Sequence, residues 1–139
     1  MRVVIDTNIF ISALLIETSL PAELIGLWRH GKFILLSAQE QVHELARVTR
    51  YPKIKARLNP ALAGRLVNEI RDASVMVEQL PHVDASKDPY DNYLLAIGVA
   101  GFADYIVTGD KSDLLSLEQY DGIKILSIRE FLTITKILP

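Results

Sequence analysis

Three aspartates of this chain fall where an α/β sheet would present them to a ligand. Asp6 ends the apolar run Val3-Val4-Ile5, Asp110 follows Val107-Thr108-Gly109, and Asp91 lies in the first turn of a helical stretch opening at Asp88-Pro89. In open parallel sheets ligands bind beyond the carboxyl ends of the strands. A helix that returns the chain to the sheet can begin at that same edge. Two carboxylates about 4 Å apart repel by roughly 4 kcal/mol at an effective dielectric near 20. If three or four meet, they must take up protons or be held by a cation, and oxygen donors suit a hard ion such as Mg²⁺ or Mn²⁺. The chain has no cysteine, which excludes disulfides, zinc–thiolate centres and thiol catalysis. His30, His43 and His82 show no ligand spacing.

Each acid also has an ordinary reading. Asp88 is a good N-cap, and Asp91 three residues on would stabilise the same helix by about 0.3–1 kcal/mol through its dipole. Asp6 can cap a helix starting near Asn8, and Asp110 or Ser112 a short turn through Asp113 and Leu114. Taken singly, the ordinary reading wins for each residue; taken together, it weakens.

The elements around these acids are short. Val3–Ile5, Phe33–Leu36, Val75–Val77, Tyr105–Val107 and Ile123–Leu126 are apolar runs without in–out alternation, as strands buried on both faces should be. Helical stretches separate them. Ser19 precedes Leu20-Pro21-Ala22-Glu23, and Gly31 closes that helix. Ser37-Ala38-Gln39-Glu40 reads as a capping box for a helix over Ala38–Thr49, and Ser127-Ile128-Arg129-Glu130 as a second one. Asn59-Pro60 and Asp88-Pro89 place proline at the first helical position, the latter opening a helix over Pro89–Ala100 that Gly101 ends. Pro52 marks an exposed bend. The expected fold class is α/β, a three-layer α/β/α sandwich with a parallel sheet of about five strands, in one domain over residues 1–139. Half the residues are hydrophobic, enough for a core. No apolar run is long enough for a secretory signal or a membrane span, so a soluble, intracellular protein is expected.

The net charge of −2 argues against a general nucleic-acid coat, but its distribution is uneven. Leu45–Asn68 holds six basic residues and no acid, whereas Asp84–Asp121 holds eight acids against Lys87 and Lys111. One segment is basic and another acidic.

Val4-Ile5-Asp6-Thr7-Asn8, a lone glutamate on a helix near residue 44, Asp88-Pro89-Tyr90-Asp91-Asn92 and Val107-Thr108-Gly109-Asp110 resemble, in order, the acidic signature of the PIN-domain nucleases. The resemblance runs through the whole chain to Ile125–Leu132 and is closest to the small VapC-like branch of toxin–antitoxin systems. It implies that Asp6, Glu44, Asp91 and Asp110 form a catalytic, metal-binding set for Mg²⁺ or Mn²⁺, with Asp113 as a further acid. Thr7, Asn8 and Thr108 would orient the carboxylates, and Asp88 would stand beside Asp91 as the helix cap. Periodicity alone turns Glu44 outward, away from the stripe Ala38, Val42, Leu45 and Thr49; only the resemblance draws it into the site.

A metal-held carboxylate cluster beside a basic surface suits phosphodiester hydrolysis. Arg47, Arg50, Lys53 and Lys55 can grip phosphates, and Tyr51 can stack on a base. The resemblance implies an RNA substrate, a cytoplasmic homodimer and a cognate antitoxin that blocks the site. Two rival classes share the pattern: a Mg²⁺-binding phosphoacceptor or phosphatase-like domain, and a catalytically silent binding module of the same fold.

Overall fold

Val3, Val4 and Ile5 have no solvent exposure because strand β1 (Arg2–Ile5) lies inside the sheet with helices over both faces. The computed structural model describes residues 1–109 and 112–137. The other elements are α1 (Thr7–Leu15), α2 (Leu20–Arg29), β2 (Ile34–Ala38), α3 (Gln39–Val48), α4 (Pro52–Lys55), α5 (Pro60–Ala73), β3 (Val75–Val77), α6 (Pro89–Gly101), β4 (Tyr105–Val107), a 3₁₀ turn (Asp113–Leu117), β5 (Gln119–Tyr120), β6 (Ile123–Leu126) and α7 (Ile128–Thr135).

The sheet order is β3-β2-β1-β4-β6-β5, with every pairing parallel except β5 against β6. Six strands therefore replace the expected five. The extra one is a two-residue antiparallel edge of Gln119 and Tyr120, too short and polar to show as an apolar run. Val3, Ile5, Leu35, Val107 and Leu126 join a core beneath α1, α2, α3, α5 and α7. Val4, Leu36, Ile106, Ile123 and Ile125 face the other way, against α6. Burial on both faces explains why the strands are uniformly apolar. The architecture is the three-layer α/β/α sandwich. Among the described residues no single helix is long and apolar enough to cross a membrane.

Two helix ends differ from expectation. Ser37 does not cap α3: it pairs within β2 opposite Met76, and its hydroxyl donates to Gln41 Oε1 at 2.6 Å. Ladder hydrogen bonding carries β2 through Ala38, which becomes the N-cap without a side-chain bond. At the end of α6, Gly101 stays helical and Phe102 takes the left-handed conformation, with φ 56°. Gly101 is needed for close packing, since a Cβ there would meet Leu36 Cδ1 at 2.8 Å and Val77 Cγ2 at 3.2 Å. The Ser127–Glu130 capping box forms as expected.

Candidate active site at the carboxyl edge of the sheet

Parallel pairing brings the ends of β1, β4 and β6 to one edge. Asp6 N donates to Val107 O and Thr108 N to Leu126 O, both at 2.9 Å, so the ladder runs on into Asp6 and Thr108. Asp6 is 4 % exposed and caps α1, its Oδ1 accepting from Asn8 N at 3.2 Å. Capping and candidate ligand are therefore one position, and the two readings of this residue do not compete. Thr108 donates its hydroxyl to Asp6 Oδ2 at 2.8 Å.

Helix α6 delivers the second carboxylate. Asp88 is its N-cap, with Oδ1 accepting from Tyr90 N at 2.9 Å, and is exposed. Asp91, one turn in, is 5 % exposed and accepts from Ser86 Oγ at 3.2 Å. Burial, more than any other cause, raises the Asp91 carboxyl above its ordinary value. The Ser86 bond works against this rise, while the charges of Asp88, Asp6 and Asp113 add to it. The loop before the helix is clasped by Asn92, whose Oδ1 accepts from the amides of Ala85 and Ser86 and whose Nδ2 donates to Ser86 O.

Tyr90 joins the two acids. Its hydroxyl accepts from Thr7 N at 2.9 Å and donates to Asp6 Oδ1 at 3.1 Å. Burial, and then the charge of Asp6, push this phenol well above its ordinary range, so it is a proton donor throughout the physiological range. Its ring lies 5.9 Å from that of Tyr93. The Tyr93 hydroxyl is buried with no partner among the described residues; burial raises it too, with smaller contributions from Tyr90, Glu40 and Glu44.

Glu44 thus lies within electrostatic reach of α6, yet its half-buried carboxylate is paired with Arg47 on its own helix. Arg47 also donates to Tyr51 Oη at 2.7 Å, with its guanidinium 5.8 Å from that ring. Asp113 is exposed at the start of the 3₁₀ turn capped by Ser112. Asp110 lies outside the described residues. Among the described residues no three Asp, Glu, His or Cys side chains converge closely enough to hold a metal ion. The donors gathered around Asp6 and Asp91 are all oxygen, which is the chemistry of a hard divalent cation rather than of zinc or copper.

Thr7 and Asn8 divide between two sides. Thr7 is buried and its Oγ1 accepts from Gln41 Nε2 at 3.3 Å, while Gln41 also reaches Ile5 O at 2.7 Å. Exposed Asn8 lines a groove of about 290 Å³ with Thr108, Gly109, Ser12 and Arg129 over a floor that includes Ile9 and Ile128. Arg50 and Lys55 line a second groove, of about 300 Å³, against α5, and Arg47 and Lys53 are exposed nearby. The sequence gives no site role to Ser86 or Gln41, nor to Tyr90, Asn92 and Arg129, although these three fall inside motifs it singles out. For Gln41 a signal existed, since it stands four residues before Leu45 on the buried stripe of α3.

A model of the PIN domain matches residues 2–112. An uncharacterized protein of Methanocaldococcus jannaschii is 29 % identical over 118 residues, covering 84 % of this chain and 75 % of that protein. No solved structure gives a significant match. The chain belongs to the PIN-domain family, a nuclease fold whose members usually depend on metal ions.

Proposed function

We propose that this chain is a metal-dependent endoribonuclease, one nuclease domain over residues 1–139 that hydrolyses RNA phosphodiester bonds with Mg²⁺ or Mn²⁺. The observation that carries this reading is the burial of two carboxylates, Asp6 and Asp91, at the carboxyl edge of the sheet, with Tyr90, the neighbour of Asp91 on its helix, bonded to Asp6. In this reading Asp6, Asp91 and Asp110 hold the ion, and Glu44 and Asp113 complete the acidic set. An ion held there would activate a water and polarise the phosphate. Thr108 and Asn8 N hold the Asp6 carboxylate, and Ser86 holds that of Asp91. Because an acidic site repels a polyanion, cations must hold the strand: Arg47, Arg50, Lys53 and Lys55 on one flank, and Arg129 in the groove lined by Asn8 and Thr108. Resemblance to the VapC-like branch supports a toxin acting in the cytoplasm as a homodimer, restrained by a cognate antitoxin.

The test is cleavage of mixed RNA and single-stranded DNA with Mg²⁺, Mn²⁺ or EDTA, by wild type, Asp6→Asn and Asp91→Asn. Metal-dependent cutting of RNA that both variants lose supports the reading. Cutting that survives EDTA or both substitutions removes it.

A further inference from the structure

We infer that Tyr90 is a positioning residue for Asp6, fixing its carboxylate so that Oδ1 is spent on protein donors and Oδ2 is the oxygen offered to the ion. This inference rests on the metal-dependent reading of the site. Each carboxylate oxygen has about two accepting positions. On Oδ1 both are taken, by Asn8 N at 3.2 Å and the Tyr90 hydroxyl at 3.1 Å, whereas among the described residues Oδ2 accepts only from the Thr108 hydroxyl, at 2.8 Å, and keeps one position for the ion. The phenol has a single proton, and its direction is set because the same oxygen accepts from Thr7 N at 2.9 Å. With the Thr7 amide donating in, the hydroxyl proton is left for Asp6. Tyr90 spans 84 residues of sequence to do this, from the helix that carries Asp91 to the strand end that carries Asp6. One side chain thereby orients one acid and ties it to the element bearing the other. Partners of this kind govern a ligand's orientation and basicity.

The test is Mn²⁺ binding followed by electron paramagnetic resonance of the free ion, with ¹⁵N–¹H spectra of the metal-free protein. Wild type, Tyr90→Phe and Tyr93→Phe are compared; the last loses a buried phenol from the same face that makes no bond to Asp6. Tyr90→Phe should bind Mn²⁺ about 10–100-fold more weakly, while Tyr93→Phe stays within about twofold of wild type. In Tyr90→Phe the Thr7 amide should also shift and exchange faster without any metal. Equal affinity in Tyr90→Phe and wild type overturns the inference alone; a wild type that binds no Mn²⁺ overturns the reading of the site along with it. If Tyr90→Phe does not fold, the wild type decides. A slowly exchanging Tyr90 hydroxyl proton in contact with the Thr7 amide supports the inference, and a freely exchanging one overturns it.

Discussion

Thr108 Oγ1 donates to Asp6 Oδ2 across 2.8 Å, joining two strand ends that are 102 residues apart. Both partners are buried, and the acceptor is a carboxylate. Hydrogen bonds to charged groups contribute about 1.5–3 kcal/mol. Thr108→Val, which keeps the shape and removes the hydroxyl, should destabilise the metal-free protein by about that amount, and Thr108→Ser should recover most of it. Urea unfolding checks this; equal midpoints for valine and wild type would show that the bond carries no stability.

Asp91 gives the pH dependence. Burial, and behind it the charges of Asp88, Asp6 and Asp113, raise its carboxyl above the ordinary 3.8. A folded-state value above the unfolded one means stability that is complete below about pH 3.8 and lost as pH rises through the folded value. In EDTA, wild type should lose stability on going upward from pH 4 relative to Asp91→Asn, which stays neutral. Saturating Mg²⁺ should cancel the loss in wild type only. Thermal melts from pH 4 to 8 with parallel profiles for the two proteins would contradict this.

Like-charge relief is expected at Asp91 rather than at Asp6. The Asp6 carboxylate accepts from Asn8 N, Tyr90 and Thr108, and an asparagine there gives up the charge that strengthens these bonds and one of the two acceptor oxygens. Asp6→Asn should therefore lose metal-free stability where Asp91→Asn gains it. Denaturant midpoints moving in the same direction would refute the distinction.

The Tyr93 hydroxyl is buried without a partner among the described residues. A buried unsatisfied group costs about 1–3 kcal/mol, so Tyr93→Phe should be at least as stable as wild type and up to about 1 kcal/mol more so. A loss of more than about 1 kcal/mol would mean that the hydroxyl has a partner after all.

On the basic flank, Arg50→Glu with Lys53→Glu should weaken RNA binding and flatten its dependence on salt. At about 0.7 per phosphate contact on single strands, the log–log slope should fall by about 1.4. An unchanged slope would make this segment ordinary surface.

The sequence announced the fold through burial. Val3, Val4, Ile5, Ile106 and Val107 face two apolar layers, and that requirement is written in their types. It announced helix starts where a side chain meets its own backbone, as at Asp88 and Ser127. It misled at Ser37, where pairing with β3 outweighed a local capping signal. The site is less legible because its bonds are long-range: nothing local to Tyr90 says that it reaches Asp6, and the period of α3 turns Glu44 outward, where it pairs with Arg47, leaving only resemblance to draw it toward the site. Asp110, which resemblance places among the ligands, lies outside the described residues.

Whether Asp6 and Asp91 share one ion is read from anomalous diffraction by a crystal of the protein soaked in Mn²⁺. A peak is expected within about 2.0–2.6 Å of Asp6 Oδ2 and of an Asp91 carboxylate oxygen, the range of hard-cation contacts to oxygen. A well-ordered site with no peak there, or Mn²⁺ bound only elsewhere on the protein, would contradict it.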